Sequence, residues 1–267
     1  MSRSSDVTQV GVIDSHVAKW LAQEPEMEIA LVFTGAGRTR ARLWGALVHE
    51  WLEAIFGLSD AGVAQAKLAW WGESLASTDS AHPLIQAFRQ DVGTGVTASH
   101  WLALTDAALA LATLERSPAD VSALLASRTP LASALIDIEA VLWPQAGAGD
   151  VPSAARSLVL HQWRRHRAGE MPQPGWLPLQ LLARHELRAQ AAYQLEDRPA
   201  CGRLFSDLAS ALAQAPAPPA GSRLRRIRTR LDQRTLTRLQ AGRERPFPSS
   251  GFAVLWHSWQ AARGVPA

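Results

Sequence analysis

Apolar residues recur every three or four positions along almost the whole chain, and no strictly alternating run bounded by turn residues interrupts them. The pattern predicts an all-α architecture. Its clearest stripe, Trp44, Leu47, Val48, Trp51, Leu52 and Ile55, predicts a helix from about Arg38 to Phe56 with Gly57 as its C-cap. A second stripe through Val121, Leu124, Leu131, Leu135, Ile138 and Leu142 begins after Ser117-Pro118 and stops at Pro144. The most apolar long run, Trp101 to Leu114, is broken by Thr105 and Asp106. It falls short of the roughly 20 residues that span a bilayer, so a buried helix is expected there.

Breakers divide the second half. Ala146 to Pro152 reads as a loop, with Ser153 as the expected N-cap of a helix reaching His166 or Arg167. Pro172 and Pro174 interrupt, and Pro178 suits the first turn of a helix over Gln180 to Gln190. Another helix is expected from Arg203 to Gln214, then a stiff Pro-rich linker over 215–221. Ser222 caps an arginine-rich helix over 222–241, and a last helix runs from about Ser249 to Arg263. With no sharp shift in composition and no internal repeat, the 267 residues are read as a single domain.

Composition narrows the classes. Hydrophobic residues make up 47% of the chain and tryptophan supplies 11 of them, enough to fill a large core and to exclude disorder. One cysteine, Cys201, rules out an internal disulfide and fits a reducing compartment. Met1 to Asp6 shows no apolar run behind a basic start, so the expected location is the cytoplasm. The net charge of +3 is carried almost wholly by arginine, Lys19 and Lys67 being the only lysines, and no nucleic-acid motif accompanies it. His49, His161, His166 and His185 lack metal-ligand spacing, which argues against zinc. Gly35-Ala36-Gly37 lacks the Gly-Lys-Ser/Thr of a phosphate loop. The helix over 222–241 has an apolar stripe of Leu224, Ile227, Leu231 and Leu239. It is expected to pack that stripe inward with its arginines outward, where peripheral contact with anionic lipid is open to it.

Lys67-Leu68-Ala69-Trp70-Trp71 followed by His82-Pro83 resembles the "KL-WW … HP" signature of squalene and phytoene synthases. Pro25 to Leu47, Ala155 to Arg167, Trp176 to His185 and Leu255 to Arg263 are similar to further segments of that family, in the same order. The resemblance implies an isoprenoid-synthase-like helical bundle around a central cavity. Its two aspartate-rich motifs would face one another, bringing Glu53 opposite Arg167.

Those motifs are degenerate. Where the family reads "RElDDivD" this chain reads His49-Glu50-Trp51-Leu52-Glu53-Ala54-Ile55-Phe56, and where it reads "lRDvgED" the chain keeps Arg167 and Glu170. A magnesium cluster needs carboxylates at i and i+4 on one helix face, and no Asp-x-x-x-Asp pair occurs. Glu50, Glu53, Arg167 and Glu170 are thus the degenerate catalytic positions, and Arg38, Arg42, Trp70 and Trp71 the candidate substrate contacts. The expectation is a divergent member without prenyltransferase activity, with no metal or other cofactor. It would bind an isoprenoid or lipid, or act on a protein partner as a scaffold, as does a family branch that assists assembly of respiratory complex I. The alternative is Mg²⁺-dependent head-to-head condensation of farnesyl or geranylgeranyl diphosphate.

Overall fold

A computed structural model describes residues 2–93, 95–114, 116–169, 176–214, 220–243 and 251–263, with side chains from residue 11 onward. The described residues form helices, with no β-strand among them. They run α1 (Ser2–Gln23), α2 (Glu26–Leu31), a 3-10 segment (Val32–Gly37), α3 (Arg38–Phe56), α4 (Ala61–Ala76), α5 (Pro83–Val92), α6 (Ala98–Ala112) and α7 (Val121–Leu142). After a 3-10 turn (Pro144–Ala146) come α8 (Val151–Ala168), α9 (Leu179–Arg184), α10 (Ala189–Gln194), α11 (Arg198–Ala213), α12 (Arg223–Gln240) and α13 (Gly251–Arg263).

Local chemistry sets most starts. Asp60, Asp120, Asp150, Asp197 and Ser222 each precede a helix and accept the backbone N–H three residues on, satisfying one of its orphan donors. Ser153 is therefore not the cap of α8. Asp150 is, and Pro152 occupies the first turn, where its missing N–H costs nothing. The helix expected over 180–190 is two short helices, because Glu186 takes a positive φ of 55° and turns the chain. In α11, Asp197 and Pro199 start the helix five residues before the expected Arg203. Most of the Pro-rich linker, Pro172 and Pro174, Pro246 to Pro248, and the expected start of the last helix at Ser249 lie outside the described residues.

Two apolar clusters form the core. The larger joins α1 to α7 with the first half of α8, the start of α12 and Val254 of α13; the smaller joins the second half of α8 to α9, α10, α11 and the end of α12. Helices α7, through Leu124, α8 and α12 run through both. The run at α6 is only half sunk: Trp101, Leu104 and Ala108 are buried while Leu102 is 53% exposed. Helix α7 is long and apolar enough to cross a membrane, but it packs inside the bundle against α6 and α8.

Helix α12 departs most from expectation. Its apolar stripe does face inward, but Arg225 and Arg226 are buried too, and α12 is covered by α11, α13 and α8. The arginines do not form one outward face, because the core supplies carboxylates to meet some of them.

Candidate functional site

Five elements converge on a central cavity. Trp20 of α1 with Glu24 just beyond it, Trp44 and His49 of α3, Glu139 of α7, Ser157 and His161 of α8, and Arg225 and Arg228 of α12 contribute to its wall. Gly45 lets α1 and α3 close there, since a Cβ at that position would stand 2.2 Å from the Trp20 ring. The cavity measures about 40 Å³, room for a few waters.

Its polar groups are engaged with one another. Arg225 donates to both oxygens of Glu139, with Nε 2.9 Å from Oε2, and the Trp44 indole N–H donates to the same carboxylate at 3.1 Å. Glu24 accepts from Arg228 and from the Trp20 indole at 3.3 Å, and His161 Nδ1 lies 3.4 Å from it. Burial alone would raise the Glu24 pKa, but the Arg228 guanidinium and His161 outweigh burial and hold it well below the usual carboxylate range. Behind this pair, Asp232 accepts from Ser157 and from Arg164 at 2.6 Å. Burial pushes neighbouring Glu26 up to about 7, against the opposing pull of Arg164. His49, 1% exposed and with neither ring nitrogen hydrogen-bonded, is pushed down to about 4 by burial and then by Lys19.

Glu50 and Glu53 do not line this cavity. Glu50, 4% exposed, sits between His16 Nδ1 at 3.0 Å, Lys19 Nζ at 3.3 Å and Lys67 Nζ at 3.3 Å, so both lysines of the chain end on one carboxylate. Desolvation would raise its pKa; the His16 hydrogen bond and the two ammoniums instead hold it far below the usual range. The adjoining His82 ring lies 5.3 Å from His16, 5.6 Å from Trp70 and 5.1 Å from Trp71. The residues quoted for the signature thus share one corner of the molecule. Trp71 is buried in the core and Trp70 is 46% exposed.

Glu53 is held by Arg165 and by Gln23 Nε2 at 3.3 Å. Gly57 leaves the space: a Cβ there would come 2.7 Å from the Arg165 guanidinium. The α3 and α8 side chains do meet, but through Arg165 rather than the expected Arg167, which points elsewhere because two residues turn a helix by about 200°. Arg42 pairs with Asp14 at 3.3 Å, Arg38 is exposed, and neither lines the cavity. Glu170 lies outside the described residues.

Sequence reasoning missed Glu24, Glu139, Arg225 and Arg228. Their one signal was the presence of Glu139 within an otherwise apolar helical pattern. Among the described residues, no group of three or more His, Cys, Asp or Glu is placed to hold a metal ion. Cationic side chains engage both oxygens of Glu50, Lys19 at Oε1 and Lys67 at Oε2, and Oε1 of Glu53, where Arg165 lies.

The geometry defines the class as an all-α helical bundle with an ion-paired centre. No protein-family model, no curated protein and no solved structure matches this chain.

Proposed function

We propose that this protein is a divergent, non-catalytic relative of the squalene and phytoene synthases that works as a cytoplasmic scaffold, through its outer surface and a partner rather than through an interior substrate site. The observation that carries the reading is the state of the two motif carboxylates. Glu50 is enclosed by His16, Lys19 and Lys67, and Glu53 by Arg165 and Gln23. Ionising a diphosphate requires carboxylates free to hold magnesium and a cavity that positions the substrate. Here Lys19 and Lys67 take both oxygens of Glu50, Arg165 takes Oε1 of Glu53, and the central cavity has room for only a few waters. Of the residues that carry the resemblance, Lys67 bonds Glu50, and Trp70 and Trp71 pack on the His82 ring.

Incubation with farnesyl and geranylgeranyl diphosphate plus Mg²⁺ tests this. We expect no pyrophosphate release and no condensed product. Turnover that disappears in the folded double variant Glu50→Gln, Glu53→Gln would establish the enzyme instead.

A further inference from the structure

The central cavity is lined by two imidazoles whose hydrogen bonds the protein does not complete. His49 of α3, 1% exposed, has no partner for Nδ1 or for Nε2. His161 of α8, 3% exposed, directs Nδ1 at Glu24 and has no partner for Nε2. Both side chains form part of the cavity wall. Desolvating a polar nitrogen without replacing its bond to water costs free energy, so buried polar groups left open beside an internal space point to something that fills it.

Three properties of the space define its occupant. The first is size: at about 40 Å³ it takes about three waters, at roughly 10–15 Å³ each, and nothing much larger. The second is charge. The charged wall residues, Glu24 and Glu139 against Arg225 and Arg228, are paired with one another and cancel, so no net charge draws in an ion. The third is hydrogen-bonding valence. Burial holds His49 neutral, its pKa pushed down to about 4, and a neutral imidazole has one N–H to donate and one lone pair to satisfy. The occupant must both accept and donate, which water does and an apolar solute or a halide does not.

We infer that the cavity is an internal hydration site, in which a small cluster of waters completes the hydrogen bonds of His49 and His161 and ties α3 to the Glu24 carboxylate at the junction of α1 and α8. An internal water needs two to four polar partners, and the wall supplies them: the two imidazoles, the remaining lone pairs of Glu24 and Glu139, and Ser157 Oγ, which donates to Asp232 and is free to accept. Of the wall residues only Val48 and Arg228 are half-buried, the rest being buried, so these waters leave only when the wall opens. The inference holds whether or not the protein is an enzyme.

A crystal structure of the whole chain, fine enough to show ordered water, tests it together with water-to-protein cross-relaxation in solution. We expect water within about 2.7–3.2 Å of both His49 ring nitrogens and of His161 Nε2, and cross-peaks from long-lived water to the ring protons of Trp20 and Trp44. His49→Phe, which removes both open nitrogens, should lose water from the cavity and weaken those cross-peaks. If that variant does not fold, the wild-type density and cross-peaks decide alone. An empty cavity, protein partners on both His49 nitrogens, or an ion or organic molecule in the place of water overturns the inference. Cross-peaks unchanged in a folded His49→Phe overturn it too.

Discussion

Around the central cavity, charged side chains lie inside the protein and each carboxylate meets a cation; along α13, Phe252, Leu255 and Trp256 lie outside, 76%, 48% and 45% exposed. Both arrangements invert the usual placement of polar and apolar groups. The interior case is closed: Glu139 with Arg225 and Glu24 with Arg228 need nothing further, and their geometry fixes how α7 and α1 sit against α12. The exterior case is open. A buried pair is weak evidence of net stability, because its desolvation offsets its attraction, but it is costly to break. An exposed aromatic stripe costs little to keep and makes most sense as a surface used by something else.

The sharpest way to break the comparison is to remove one member of an interior pair. Arg225→Met strands Glu139 at 5% exposure with only the Trp44 indole as donor, and we expect a loss of about 3–5 kcal/mol in denaturant unfolding. Losing less than about 1 kcal/mol would mean the centre is wetter than its geometry indicates.

Acid comes next. His49 and His166 are held neutral in the fold, pushed down to about 4 from 6.5, chiefly by burial. The unfolded chain protonates first, so their stabilisation is complete above 6.5 and is lost as pH falls toward 4, on the order of 2–3 kcal/mol for each. Glu26, raised to about 7, acts oppositely: its contribution is present below 4.5 and lost as pH rises through 7. Two histidines outweigh one glutamate, so urea midpoints should fall on acidification from 6.5. Glu26→Gln should remove the weaker loss on the alkaline side. A midpoint flat from 6.5 to 4 would refute the burial of the two rings.

Gly45→Ala, which drives a methyl into the Trp20 ring beside the cavity, should cost about 1–3 kcal/mol. The smallest effect belongs to the exterior. Trp256→Ser should change stability by less than about 0.5 kcal/mol, and a loss several times larger would show that α13 is held by its outer face after all.

The helices were legible where local chemistry is loud. Arg38–Phe56 and Val121–Leu142 match their expected bounds because Gly57, the Ser117 to Asp120 turn and Pro144 sit beside strong apolar periods. Helix α1 was passed over, although Val10, Ile13, Val17, Trp20 and Leu21 carry the same spacing. The break at Glu186 leaves no signature in composition. The cavity was not legible at all, since Arg228 meets Glu24 across 204 positions and Arg225 meets Glu139 across 86. No local pattern records which arginine of a basic helix turns inward. Glu50 and Glu53 were singled out by the resemblance to the family's first motif, and their cationic partners came only with the fold.

Both side-chain amines of the chain, Nζ of Lys19 and of Lys67, rest on Glu50, at 45% and 32% side-chain exposure. Apart from the N-terminal amine, amine-directed labelling therefore reads a single address in this protein. Reductive methylation keeps both charges and should leave that corner standing. Acetylation removes both at once, leaving the Glu50 carboxylate with His16 alone, so an ordinary lysine reagent becomes a selective probe of the place where α1, α3 and α4 are tied together.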